Sequence, residues 1–144
     1  MLSNSCEIQP AKIEKMARAS DAASFASLLG MKTMRAERGY ALTSMTLSQE
    51  KHLNFLGLTH GAVLFALADH ACSICGNSLG PKAVLIQSSI NFLSNPRPGN
   101  TIEAEARMVD ENETAGILDI VVRDANEKIL ARCQSIVLFM DSNA

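Results

Sequence analysis

The chain has 144 residues, 47% hydrophobic and 19% charged, with a formal net charge of -2, which suits one domain with a core of its own and leaves no polybasic footprint for nucleic acid. Its start, MLSNSCEIQPAK, lacks a basic segment followed by an apolar core, so no secretory signal is expected and a cytoplasmic location is the default. The charge-free run from Leu53 to Ala68 is shorter than the ~20 residues of a membrane span, so no membrane partner is expected either.

Pro10 to Ala19 reads as a short helix with Ile13 and Met16 on one side, and residues 1–20 read as an N-terminal extension to a single domain over 21–144. Asp21 is the expected N-cap of a second short helix, Ala22 to Leu29, with Gly30 as its stop. Met31 to Glu37 and Tyr40 to Ser48 read as strands around the turn Arg38-Gly39, with Ala41, Thr43, Met45 and Leu47 sharing a face. After a loop from Gln49 to Thr59, Gly61 to Ser78 forms a long helix, about 18 residues or ~27 Å at ~1.5 Å per residue. It is apolar nearly all the way round, as a helix surrounded by protein is.

Four strand-like runs follow. Ala83 to Leu93 places Val84, Ile86, Ile90 and Phe92 on one face; Thr101 to Val109 turns Ile102, Ala104, Ala106 and Met108 inward. Gly116 to Arg123 does the same with Leu118, Ile120 and Val122, and Lys128 to Met140 is a long last strand. Short, turn-rich connectors between consecutive strands predict an antiparallel meander. The fold class is therefore α+β: a curved antiparallel sheet wrapped around one long central helix, with a short N-terminal helix. A single sheet leaves one flank of the helix open, and pairing of two subunits is the simplest cover.

The long helix also carries the chemistry. From Ala62 to Gly76 its only strongly polar side chains are Asp69, His70 and Ser73. The helix neighbours of Asp69, at three and four positions, are Phe65, Ala66, Cys72 and Ser73, so no cation on its own element meets it. A buried, unpaired carboxylate is costly unless it lines a cleft, finds a partner or is protonated. Cys72-Ser-Ile-Cys75 matches C-x-x-C, but it lies deep in a helix and has no second ligand pair, so small-residue packing of these cysteines, with Cys6 and Cys133 elsewhere, outweighs redox or zinc chemistry.

His52-x-Asn54, Gly57, His60-Gly61, Ala68-Asp69 and, on the next strand, Ile90-Asn91-Phe92-Leu93 with Pro98-Gly99 resemble the hotdog-fold thioesterase superfamily, in its phenylacetyl-CoA (PaaI-type) branch. The resemblance runs from about Phe25 onward, with Ala62 in place of the second glycine of the H-G-G pattern. It implies an acyl-CoA thioesterase for a small, medium or aromatic acyl group, working as a homodimer that pairs into a homotetramer. No separate cofactor is implied, since coenzyme A is part of the substrate.

By the same resemblance Asp69 is the general base for water or the direct nucleophile, acting with groups from the neighbouring subunit. Gly61, opening the helix, offers a backbone N–H to the oxyanion. Asn54 helps to hold the thioester or the water, or else caps its loop. Ser73, one turn beyond Asp69, is placed to hydrogen-bond the carboxylate, or is simply a small helical residue. His60 is given an orienting role, and His52 and His70 structural ones. For the coenzyme A phosphates Lys82, Arg97 and Arg123 lie near loops, where solvated surface residues are the commoner case. A non-catalytic acyl-CoA-binding module on the same fold is the alternative. Dehydration of a hydroxyacyl thioester ranks last, because His70 points to a different helical face from Asp69.

Overall fold

The computed structural model describes residues 8–141; Cys6 lies outside them. The chain enters helix α1, Pro10–Ala22, on a proline whose missing N–H costs nothing in a first turn. The helix buries Ile13, Ala17 and Asp21. Asp21 is thus a buried residue of α1 and not the cap of the next helix; α2, Ser24–Leu29, begins from Ala23 with no side-chain cap. Gly30 closes α2 in the left-handed conformation, φ +76°.

Strands β1 (Lys32–Glu37) and β2 (Tyr40–Thr46) form the expected hairpin. Helix α3, Gly61–Asn77, follows after a loop, and then β3 (Lys82–Phe92), β4 (Thr101–Glu111), β5 (Ala115–Asp124) and β6 (Ile129–Met140). All six strands join one antiparallel sheet in the order β1-β2-β4-β5-β6-β3, curved around α3 in the hotdog arrangement. The inner faces of β2, β4 and β5 carry Ala41, Thr43, Met45, Ile102, Ala104, Ala106, Leu118, Ile120 and Val122, all buried. Alanines at 41, 104 and 106 leave room for the Leu64, Leu67 and Ile74 side chains of α3 to pack at interior density.

Two features differ from the local sequence pattern. Only β4, β5 and β6 form the meander; β3 pairs with β6, and β4 crosses to β2 at the far side of the sheet. The loop Ser94-Asn-Pro-Arg-Pro-Gly99 makes that crossing, too long and proline-rich for a tight hairpin. In β3 the register shifts between Leu85 and Gln87. Such a bulge flips the alternation, so Val84 and Ile86 are exposed while Ala83, Leu85 and then Ser88 and Ile90 turn toward the core.

Candidate active site

The sheet and α1 together cover α3 on every side but one. Ala62, Phe65, Asp69, Ser73 and Asn77 are the residues of its length left exposed or half-buried beside the half-buried Gly61, and their spacing of three or four places them in a single strip. The strip runs along β3. At one end the Asn77 amide donates to the Ala83 carbonyl and accepts from its N–H, both at 3.0 Å. At the other, the ring of Phe92 lies over Gly61.

Asp69 sits at the middle of this strip. Its carboxyl has no hydrogen bond or ion pair among the described residues; burial raises its pKa above the ordinary value, and neighbouring His70 opposes that in part. Ser73 is exposed one turn further on, and its hydroxyl does not bond Asp69; its carbonyl accepts from the Asn77 amide at 2.9 Å.

At the start of α3 the first-turn N–H groups divide unequally. His60 is the N-cap: its Nδ1 accepts from Ala62 N–H at 3.1 Å and its carbonyl from Val63 N–H at 2.9 Å. The Gly61 N–H has no acceptor among the described residues. It is a free donor at the positive end of a helix, and lacking a side chain it allows close approach.

The loop before α3 is built to hold this entry still. His60 N–H donates to the His52 carbonyl at 2.8 Å. Asn95, which no local pattern singles out, clamps Thr59 like a strand partner: it accepts from Thr59 N–H at 3.1 Å and donates to its carbonyl at 2.8 Å. Asn54 Oδ1 accepts from Leu56 and Leu58 N–H, at 2.9 and 3.1 Å, which realises the loop-capping role. Its Nδ2 keeps both protons uncommitted among the described residues, so the amide can still donate. The turn also displays Phe55, 96% exposed. His52 is buried; Nδ1 accepts from Ser48 N–H at 2.8 Å, Nε2 has no partner among the described residues, and burial, then Lys51, lowers its pKa.

Cys72, Cys75 and Cys133 are free and buried, and burial drives the first two thiols up to about 12, which suits packing and not redox work. Among the described residues no group of three or more His, Cys, Asp or Glu could hold a metal ion, and no helix is long and apolar enough to cross a membrane. Of the three basic candidates, Arg123 is engaged with Glu105 at 3.7 Å and Glu127 at 3.9 Å. A cleft of about 440 Å³ lies between α1 and β1, lined by Glu14, Arg18, Asp21 and Met34 among others, and holds none of the site residues expected from sequence, Asn54, His60, Gly61, Asp69 and Ser73.

A family model described as the thioesterase superfamily matches residues 56–131. The acyl-coenzyme A thioesterase PaaI of Escherichia coli is 32% identical over 106 residues, covering 74% of this chain and 75% of that protein. A putative esterase of Archaeoglobus fulgidus is 36% identical over 103 residues, 71% of this chain and 66% of that protein, so the chain spans just under two thirds of its length. The solved structure of the E. coli PaaI protein superposes with a TM-score of 0.85 at 28% identity, over 90% of this chain and 94% of that one. A Streptococcus mutans protein solved with acetyl CoA bound superposes at 0.73 with 25% identity, over 76% and 88%.

Proposed function

Because the chain belongs to the thioesterase superfamily and is a thioester hydrolase, we propose that it hydrolyses an acyl-CoA, of small, medium or aromatic acyl group, to the free acid and coenzyme A. The observation that carries this reading is a carboxyl, Asp69, that has no partner among the described residues and lies at the middle of the open strip of a buried helix whose first N–H, at Gly61, also has none among them.

Gly61 and Asp69 are eight residues apart on one helix, about 12 Å along its axis. A carbonyl whose oxygen meets one and whose carbon is attacked from the other spans roughly 7 Å when the carboxylate attacks directly and roughly 10 Å when a water stands between. Both fall short of that separation, so one chain does not supply both groups to one thioester. Two copies can, if the strips face each other, and the open edge of β3 with exposed Val84 and Ile86 offers the means of pairing. The unit proposed is a homodimer with two equivalent sites, each taking Asp69 from one chain and Gly61 and Asn54 from the other, with two dimers associating as a tetramer.

In each site the Gly61 N–H receives the negative charge that develops on the thioester oxygen. Asn54 Nδ2 donates to the thioester or the attacking water. Asp69 either takes a proton from that water or attacks the carbonyl itself, and both routes need it ionised. The C–S bond breaks, the sulfur leaves with a proton, and water supplies the second oxygen of the acid. No cofactor takes part. Ser73 is exposed one turn beyond Asp69 on the strip, where it can hold a water, and His60 orients the first turn. A cytoplasmic location fits an acyl-CoA substrate.

The test is a thiol-release assay over a panel of acyl-CoAs with wild type beside Asp69→Asn. Release by wild type and its loss by at least 100-fold in the variant support the reading. Saturable binding by calorimetry with no release replaces it with the binding module, and release at an equal rate by both proteins removes Asp69 from the mechanism.

A further inference from the structure

We propose that Asp21 and His70 are positioning residues for Asp69: a buried hydrogen-bonded knot that fixes the rotation of α3 about its axis, and with it the direction in which Asp69 points. This rests on the reading of Asp69 as the carboxylate of the reaction.

Asp21, 7% exposed on α1, accepts three hydrogen bonds from two other elements. Thr33 of β1 gives its N–H to Oδ2 at 2.8 Å and its hydroxyl to Oδ1 at 2.7 Å, and His70 of α3, also 7% exposed, gives Nε2–H to Oδ1 at 2.9 Å. His70 directly follows Asp69, about 100° further round the helix. Both ends of α3 are held by other polar contacts: the His60 cap, Asn77 on Ala83, and the Ser78 hydroxyl accepting from Gly39 N–H at 2.8 Å.

Along the middle of the helix the situation is different. Of Asp69, His70 and Ser73, only the His70 side chain bonds another element among the described residues; the further polar contacts are weaker ones, from the Thr43 hydroxyl to the Leu67 carbonyl at 3.4 Å and between the buried Cys72 and Cys75 thiols and Ser135 and the Met108 backbone. The rest is apolar packing, which resists small rotations less sharply than hydrogen bonds do, because hydrogen bonds are directional. A rotation of about 10° moves a side-chain tip at the ~5–6 Å outer radius of a helix by roughly 1 Å. A displacement of ~1 Å can cost about 100-fold in rate.

The experiment compares kcat, KM and melting temperature for Asp21→Ala, His70→Ala, their double variant and His70→Gln, each assayed well below its own melting temperature. Glutamine carries an N–H close to where Nε2 stands, so it retains the knot without the ring. The expected result is a fall in kcat of tenfold or more with KM within threefold in both alanine variants, a double variant no worse than either, and His70→Gln within threefold of wild type. Lower melting temperatures with kcat unchanged, or no recovery by glutamine, overturn the proposal. Asp21→Asn replaces Asp21→Ala if the latter does not fold.

Asp69→Asn run in parallel separates this failure from that of the functional reading. The 13C resonance of the Asp69 carboxyl, assigned by its loss in Asp69→Asn, gives a readout that needs no turnover. It should shift or broaden in the alanine variants and not in His70→Gln; an unchanged resonance overturns the proposal even if wild type releases no thiol.

Discussion

The ring of Phe92 rests on the Cα of Gly61: a Cβ built there would stand 3.2 Å from Cζ and 3.3 Å from Cε1. Nothing larger than hydrogen fits unless the ring moves by a few tenths of an ångström. Phe92 is 52% exposed, so it can move. Gly61→Ala is therefore expected to cost about 1 kcal/mol or less in stability but to lower kcat/KM by roughly tenfold or more, because the methyl group stands between substrate and the N–H. Phe92→Ala should recover part of the stability lost, so the pair will be non-additive. Thermal melts and thiol release on the two single variants and the double one check this.

His60 offers a contrast between capping and proton transfer. Its Nδ1 is already occupied by the Ala62 N–H. His60→Ala should lose the cap, about 1 kcal/mol. His60→Ser, which restores a capping oxygen, should recover that stability and hold kcat within about threefold of wild type. A proton shuttle at this position would lose activity in both variants, and the pair of kcat values distinguishes the two roles.

Much of this arrangement was legible in local pattern. The apolar run closed by Ser78 and opened by His60-Gly61 defined α3, and sharp alternation at Ile102, Ala104 and Ala106 oriented β4. What local pattern could not carry was a partner far along the chain. Asp21 looks like a helix cap because its neighbours in sequence are helix formers; Thr33 and His70, which claim it, are 12 and 49 residues away. The bulge after Leu85 leaves no mark in composition, yet it turns Val84 and Ile86 outward. Asp69 was found because it is polar where everything around it is not, but the catalytic partner proposed for it belongs to a second chain.

Asp69 and Asp21 should titrate in opposite senses. Burial raises the Asp69 pKa, His70 opposing, so the acid limb of the activity profile should have its midpoint above the ~3.9 of an ordinary aspartate. Since its folded pKa lies above the unfolded one, its contribution to stability is complete below the unfolded value and is lost as pH rises through the folded value. Asp69→Asn should thus gain on wild type in melting temperature as pH rises, and the advantage should vanish in acid. Melts from pH 3 to 8 test the sign.

For Asp21, burial raises the pKa, but the Thr33 N–H, the Thr33 hydroxyl and His70 together outweigh it and hold the carboxyl below its ordinary value. Its contribution is therefore present above the unfolded value and is lost as pH falls through the folded one. Asp21→Asn, which offers a donor where an acceptor is needed, is expected to cost about 1–3 kcal/mol at pH 7. The gap from wild type should begin to narrow below about pH 4, where the carboxyl of the unfolded chain starts to protonate, and should close only as pH falls through the lower folded value. Urea unfolding at pH 7 and at pH 3.5 gives both numbers.

The proposed division of the site between two chains makes a prediction that no single-chain site can satisfy. Asp69→Asn and Gly61→Val each disable both sites of their own homodimer. In a mixed dimer one site collects both defects and the other collects neither. Equal amounts unfolded together in urea and refolded should give half mixed dimers, each with one intact site of two, and hence about a quarter of wild-type activity. If Asp69 and Gly61 of the same chain served one thioester, the mixture would stay as inactive as its parents. A parallel mixture with Ile86→Lys added to both variants should also stay inactive, since a charge on the open edge of β3 opposes the pairing proposed there, and light scattering on that mixture should report monomers.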